Sequence, residues 1–103
     1  MRYRFFPTAD RRQDDIWDYT YDTWGEEQAD AYIEGLHVAI DSAAKGEKRW
    51  RKLEHTKLKE VYFIKYRHHF IFFKVLSNGT LGIISILHEN MDVPSRILED
   101  VQQ

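Results

Sequence analysis

The chain has 103 residues, is 43% hydrophobic and 15% aromatic, and contains no cysteine. These figures suit one folded domain spanning residues 1–103 and exclude a disulfide framework, a thiol nucleophile and any thiolate zinc site. The formal charge of −2 hides a partition: residues 1–46 carry 5 basic and 10 acidic side chains, residues 47–88 carry 9 and 3, and residues 89–103 carry 1 and 4.

Taken in order, Tyr3-Arg4-Phe5-Phe6 reads as a short first strand stopped by Pro7, which cannot donate to a ladder. Thr8 stands where an N-cap belongs, and Asp10, Asp14 and Asp15 give the first turns the charge that a helix dipole prefers. From there to Trp24, a weakly apolar stripe of Ala9, Gln13, Ile16, Thr20 and Thr23 predicts a helix, ended by Gly25. The second helix, Glu26 to Ala44, has a stronger stripe of Ala29, Tyr32, Ile33, Leu36, Ile40 and Ala43. A single glycine between the two makes them an antiparallel hairpin.

Residues 47–60 are basic and aperiodic, and read mostly as a connecting loop. Three runs rich in β-branched and aromatic residues follow: Val61–Tyr66, His69–Leu76 and Thr80–Leu87. Asn78-Gly79 is a hairpin signal because both residues tolerate positive φ. Pro94 to Gln103 has room for a short last helix. The order β-α-α-β-β-β predicts an α+β fold, with the helix hairpin packed on a mostly antiparallel four-stranded sheet. Phe63, Phe70, Phe72, Phe73, Ile71, Ile84 and Ile86 put apolar residues on both faces of that sheet. The hairpin covers one face, and the tail or a partner must cover the other.

Little in the residues points to catalysis. Arg67-His68 must turn the first pair of these strands without a glycine, and His68 and His69, adjacent on a strand or turn, are expected to face opposite ways and not to serve one site together. His88-Glu89 lacks the second histidine of a helical zinc motif, because position 92 is aspartate. No serine sits in a glycine-flanked elbow and no glycine-rich loop could cradle phosphate. No metal or cofactor is expected. The apolar runs are too short to span a bilayer, and Met1-Arg2-Tyr3-Arg4-Phe5-Phe6 lacks the apolar stretch of a signal peptide, so a cytoplasmic location with no membrane role is expected. The basic block, Lys48 to Lys74 with Trp50, Tyr62 and Tyr66 interleaved, suits a nucleic-acid backbone, an acidic protein segment or a solvated edge strand. Composition does not order these three.

Two stretches carry a family likeness. Ile16-Trp17-Asp18-Tyr19 through Trp24-Gly25-Glu26-Glu27-Gln28-Ala29-Asp30-Ala31-Tyr32, on to Leu36 and Ile40, resembles the helix-hairpin signature of the ParE toxins. Ile86-Leu87-His88-Glu89-Asn90-Met91-Asp92-Val93 is similar to that family's C-terminal motif, and His69-Phe70-Ile71-Phe72-Phe73 to its histidine-led strand. One region departs from the pattern: no proline or glycine stands between Gly46 and Gly79, and Lys59 is the nearest basic substitute for the usual arginine-glycine approach to the histidine strand.

The resemblance implies the RelE/ParE fold and the toxin half of a type II toxin–antitoxin pair. Such a toxin poisons DNA gyrase without being an enzyme and is neutralised by a ParD-like antitoxin. It meets DNA only through the antitoxin or gyrase. On this reading the hairpin is scaffold, with Ile33, Leu36 and Ile40 in the core. Antitoxin contacts fall on Arg67, Phe70, Phe72, Met91 and Val93, and target contacts on Lys57, Lys59, His69 and His88. His88 and Asp92 shape the C-terminal turn. The alternatives are a RelE-like endoribonuclease that uses Lys57, Lys59, Arg67, His69 and His88, and an inert antitoxin-binding module.

Overall fold

A computed structural model of the chain describes residues 3–55 and 57–101. The elements in order are β1 (Tyr3–Phe5), α1 (Pro7–Trp24), α2 (Glu26–Ala44), β2 (Arg51–Lys52), β3 (Tyr62–Tyr66), β4 (His69–Val75), β5 (Leu81–His88) and α3 (Val93–Val101). The strands form one sheet in the order β1-β5-β4-β3-β2. β1 runs parallel to β5, and every other pairing is antiparallel.

The α+β architecture is as the sequence predicts, with five strands in place of four. The extra strand lies inside the stretch expected as loop: Arg51 pairs with Phe63 and Lys52 with Tyr62. Two basic residues have no strand pattern of their own, so only the β3 edge makes them a strand. The start of α1 also differs. Phe6 is the N-cap and Pro7 the first helical residue, where its missing N–H is no loss. Thr8 is therefore inside the helix, buried, and accepts a hydrogen bond from Arg11 Nη2 at 3.1 Å. Gly25 does stop α1 at φ 95, with its N–H on the Tyr21 carbonyl.

The β4–β5 connection is not a two-residue turn. Leu76 N–H donates to the Thr80 carbonyl and Gly79 N–H to that of Leu76. Of the two turn residues only Gly79 has positive φ. This is a three-residue loop whose last residue is left-handed. The β3–β4 turn has no such glycine and puts Arg67 at φ 51.

Two cores sandwich the sheet. On the hairpin side Ala9, Ile16, Leu36, Ile40 and Ala43 pack on Ile64, Ile71, Phe73, Leu81, Ile83 and Ile86. Ile33 is only half-buried at the edge of this cluster. On the other side Leu58, Val61, Phe72, Ile84 and Leu87 close around Ile97 of α3. The second apolar face is thus covered in part by the chain's own tail. Register slips between Phe72 and Phe73, so that Phe72 faces Ser85 while Phe73 faces Ile83. This bulge makes the hairpin-facing positions of β5 run Leu81, Ile83, Ile86. Strict alternation could not produce that spacing. No helix among the described residues is long and apolar enough to cross a membrane.

Candidate functional site

α1 leans over the end of β5 and leaves a cleft of about 720 Å³ beneath it. Tyr19 and Trp24, both 70% exposed, form its outer wall. Ile16, Thr20, Tyr32, Ile86 and Met91 line its interior, and His68, His69 and His88 one end. The two exposed rings sit on the helix that the sequence assigns to scaffold. Their signal was legible: Tyr19 and Trp24 are large rings off the buried stripe of α1.

His68 and His69, expected not to share a site, both line the cleft, because His68 lies in the turn after β3, where strand alternation does not separate neighbours. His69 and His88 are cross-strand partners, with ring centroids 5.1 Å apart and perpendicular. The His68 and His88 rings are closer to parallel, at 6.2 Å. Burial, helped by the neighbouring His88 and His68, lowers the His69 pKa to about 4. Tyr32 Oη lies 2.7 Å from His69 Nδ1, and a hydroxyl donating to an unprotonated nitrogen suits that neutral form. Burial in turn raises the Tyr32 pKa. At the rim, Glu89 accepts from His68 Nδ1 at 2.7 Å and pairs with Lys65 Nζ at 3.0 Å. Hydrogen bonds from Lys65 and His68 hold the Glu89 carboxyl below its usual range.

The residues expected to bind partners divide between surfaces. His69, His88 and Met91 line the cleft. His88 also shapes the turn after β5: its Nδ1 accepts from Asn90 N–H at 3.0 Å, and its own N–H meets Met91 Sδ at 3.3 Å. Arg67 is exposed at the neighbouring turn, its guanidinium 5.7 Å over the Tyr66 ring. Phe70 and Val93 are half-buried on the opposite sheet face, where Lys65 Nζ lies 5.5 Å over the Phe70 ring. Phe72 is 1% exposed within the second core, so no partner reaches it while that core is intact. Lys57 and Lys59 are exposed on the loop before β3 and are not part of the cleft lining.

One polar cluster carries no signal in the sequence. Asp100 of α3 is 8% exposed and takes both arms of Arg12 from α1, Nε and Nη2 each at 3.1 Å. Ser85 of β5, fully buried, donates to the same carboxylate at 2.5 Å. The partners are 88 and 15 residues away in sequence. Among the described residues, no group of three or more histidines and carboxylates is placed to hold a metal ion.

Against known proteins, the family profile described as "ParE toxin of type II toxin-antitoxin system, parDE" matches residues 3–93. "Toxin ParE1" of Mycobacterium tuberculosis, from strain CDC 1551 / Oshkosh and from strain ATCC 25618 / H37Rv, is 36% identical over 93 residues. The match covers 89% of this chain and 93% of the relative. Among solved structures, a chain from "Chromosomal ParDE TA system from P. aeruginosa" superposes with a TM-score of 0.71 at 16% identity. That match covers 85% of this chain and 95% of the other, a likeness of fold.

Proposed function

The chain belongs to the ParE toxin family of type II toxin–antitoxin systems, and from that premise we propose that it inhibits DNA gyrase by binding and is silenced by a ParD-like antitoxin. The observation that carries a binding role is the cleft, whose lining is mostly rings and aliphatic groups with two rings left largely in water. Covering Tyr19 and Trp24 would remove roughly 300 Å² from solvent, about 7 kcal/mol before the costs of association. The antitoxin seats along this cleft and reaches Met91 and His88 at one end, with Arg67 beside it. Phe70 and Val93 give a second strip on the tail face. Target contacts are assigned to Lys57, Lys59, His69 and His88.

The ribonuclease reading has less support. Of the cations it would use, Lys57 and Lys59 lie outside the lining that holds His69 and His88, and Arg67 alone of the three stands at the neighbouring turn. Purified protein added to gyrase should stop supercoiling and accumulate cleaved DNA. Normal supercoiling at excess protein refutes the gyrase assignment. Ribosome-dependent mRNA cleavage by the same preparation would establish the ribonuclease instead.

A further inference from the structure

The charges that line the cleft do not balance. Arg12 is in the lining, but Asp100 holds its Nε and Nη2, so its charge is met within the chain. Asp15 is in the lining too, exposed and with no ion-pair partner among the described residues. The histidine end adds no opposing sign, because His69 is neutral at pH 7 and His68 is paired with Glu89. Arg67 lies outside the lining. What is left over is negative. The rest of the α1 wall has the same sign. Asp18 and Asp22 follow Asp15 at helical spacing, exposed and likewise without an ion pair among the described residues. The helix ends at Trp24 with no basic residue in its last turn, which leaves the negative pole of its dipole uncompensated. Tyr19 and Trp24 add the electron-rich faces of two largely exposed rings. Cation–ring contacts among the described residues fall on Phe6, Tyr66 and Phe70, so no cation of the chain covers either ring.

We propose that the cleft takes an apolar segment that carries an arginine or lysine, with the cation held between Asp15 and the ring of Tyr19. These two residues stand one turn apart on the same side of α1, so one basic side chain can meet a carboxylate and a ring face together. Arginine suits the place better than lysine, because its planar guanidinium stacks on a ring while it donates to a carboxylate. The occupant is a segment of the antitoxin, and in naming that partner the inference rests on the function proposed above. Apolar contact with Ile16, Ile86 and Met91 supplies affinity, and the cation supplies selection. A carboxylate at the same position would face Asp15 and the negative end of α1, so the sign of one side chain decides which segments are accepted.

The selection can be tested without the antitoxin, on the full chain at pH 7. The probes are three short leucine-rich peptides that differ at one central position: arginine, its uncharged isostere citrulline, or glutamate. Nuclear magnetic resonance follows the Trp24 indole N–H, with that of Trp50, bonded to the Ala43 carbonyl and outside the cleft lining, as internal reference. The expected result is a Trp24 shift while Trp50 stays still, and affinity falling in the order arginine, citrulline, glutamate. Arginine should bind roughly tenfold tighter than citrulline, and about 1 M salt should shrink that preference. Asp15→Asn should cut it to roughly threefold, and Tyr19→Leu should reduce it as well. Both positions are exposed, so neither variant should move the unfolding midpoint by more than a few degrees. Equal binding of the arginine and citrulline peptides, tighter binding of the glutamate peptide, a full preference kept by Asp15→Asn, or no binding of any probe each overturns the proposal. Self-association of the chain alone that Asp15→Asn abolishes does so too, because the occupant is then a second copy's basic block. None of these outcomes depends on gyrase or on the antitoxin. If the arginine preference holds but a cognate antitoxin leaves the Trp24 signal unmoved, it is the antitoxin seating proposed above that fails.

Discussion

His69 gives the chain a pH-dependent stability that can be worked out in advance. Its pKa is about 4 in the folded chain against an ordinary 6.5. Between those values the unfolded chain binds a proton that the folded chain refuses, so stability rises with pH through this window and is lost as pH falls through it. The whole gap corresponds to about 3 kcal/mol, and lowering pH from 7 to 5 removes about 2 kcal/mol of it. The perturbation is His69→Gln, which keeps an acceptor for Tyr32 and cannot titrate. Urea unfolding of both proteins at pH 7 and pH 5 reads the contribution of His69 together with its coupling to His88, His68 and Glu89. The unmodified chain should lose about 2 kcal/mol more than the variant. Equal losses, or a His69 ring that titrates near 6.5 by nuclear magnetic resonance, would refute the burial argument.

Ile97→Ala deletes the fully buried side chain beneath α3 and should cost about 2–4 kcal/mol by denaturant unfolding; a loss below about 1 kcal/mol would mean that α3 is barely docked. Gly25→Ala meets no atom within 4 Å but must hold φ near +95, so thermal unfolding should report about 1–2 kcal/mol lost to backbone strain alone. Arg67→Glu, at an exposed turn, should weaken antitoxin binding by calorimetry while the unfolding midpoint stays within a few degrees. Unchanged affinity would remove Arg67 from the interface.

The hairpin was legible because it depends on local periodicity. Leu36, Ile40 and Ala43 repeat at helical spacing, and the break between the helices is a glycine that must turn left-handed. The strands β3, β4 and β5 were legible for a similar reason, since their β-branched and aromatic runs stand out from a polar loop. The family likeness was carried by these same segments. β2 was not legible, because a strand of Arg51 and Lys52 exists only through its pairing with β3. Nor was the true start of α1, where Pro7 takes the first helical position and displaces Thr8 from the cap.

What the sequence by itself determined, then, is the set of elements apart from β2, their order and the family, all of which follow from spacing within one element. Only the tertiary structure decided which side chains share a site. It brought His68, placed in a turn, to the same end of the cleft as His69 and His88. It turned Tyr19 and Trp24 from scaffold into a wall, and it joined Arg12, Ser85 and Asp100 across three elements. The physical reason is that a helix period or strand alternation fixes only which way a residue faces within its own element. The parallel seat of β1 beside β5, the bulge opposite Phe72 and the docking of α3 decide what it meets there. The −2 of the composition was blind to this: the one buried carboxylate among the described residues sits in the acidic tail and is held by an arginine from the acidic hairpin, outside the basic block altogether.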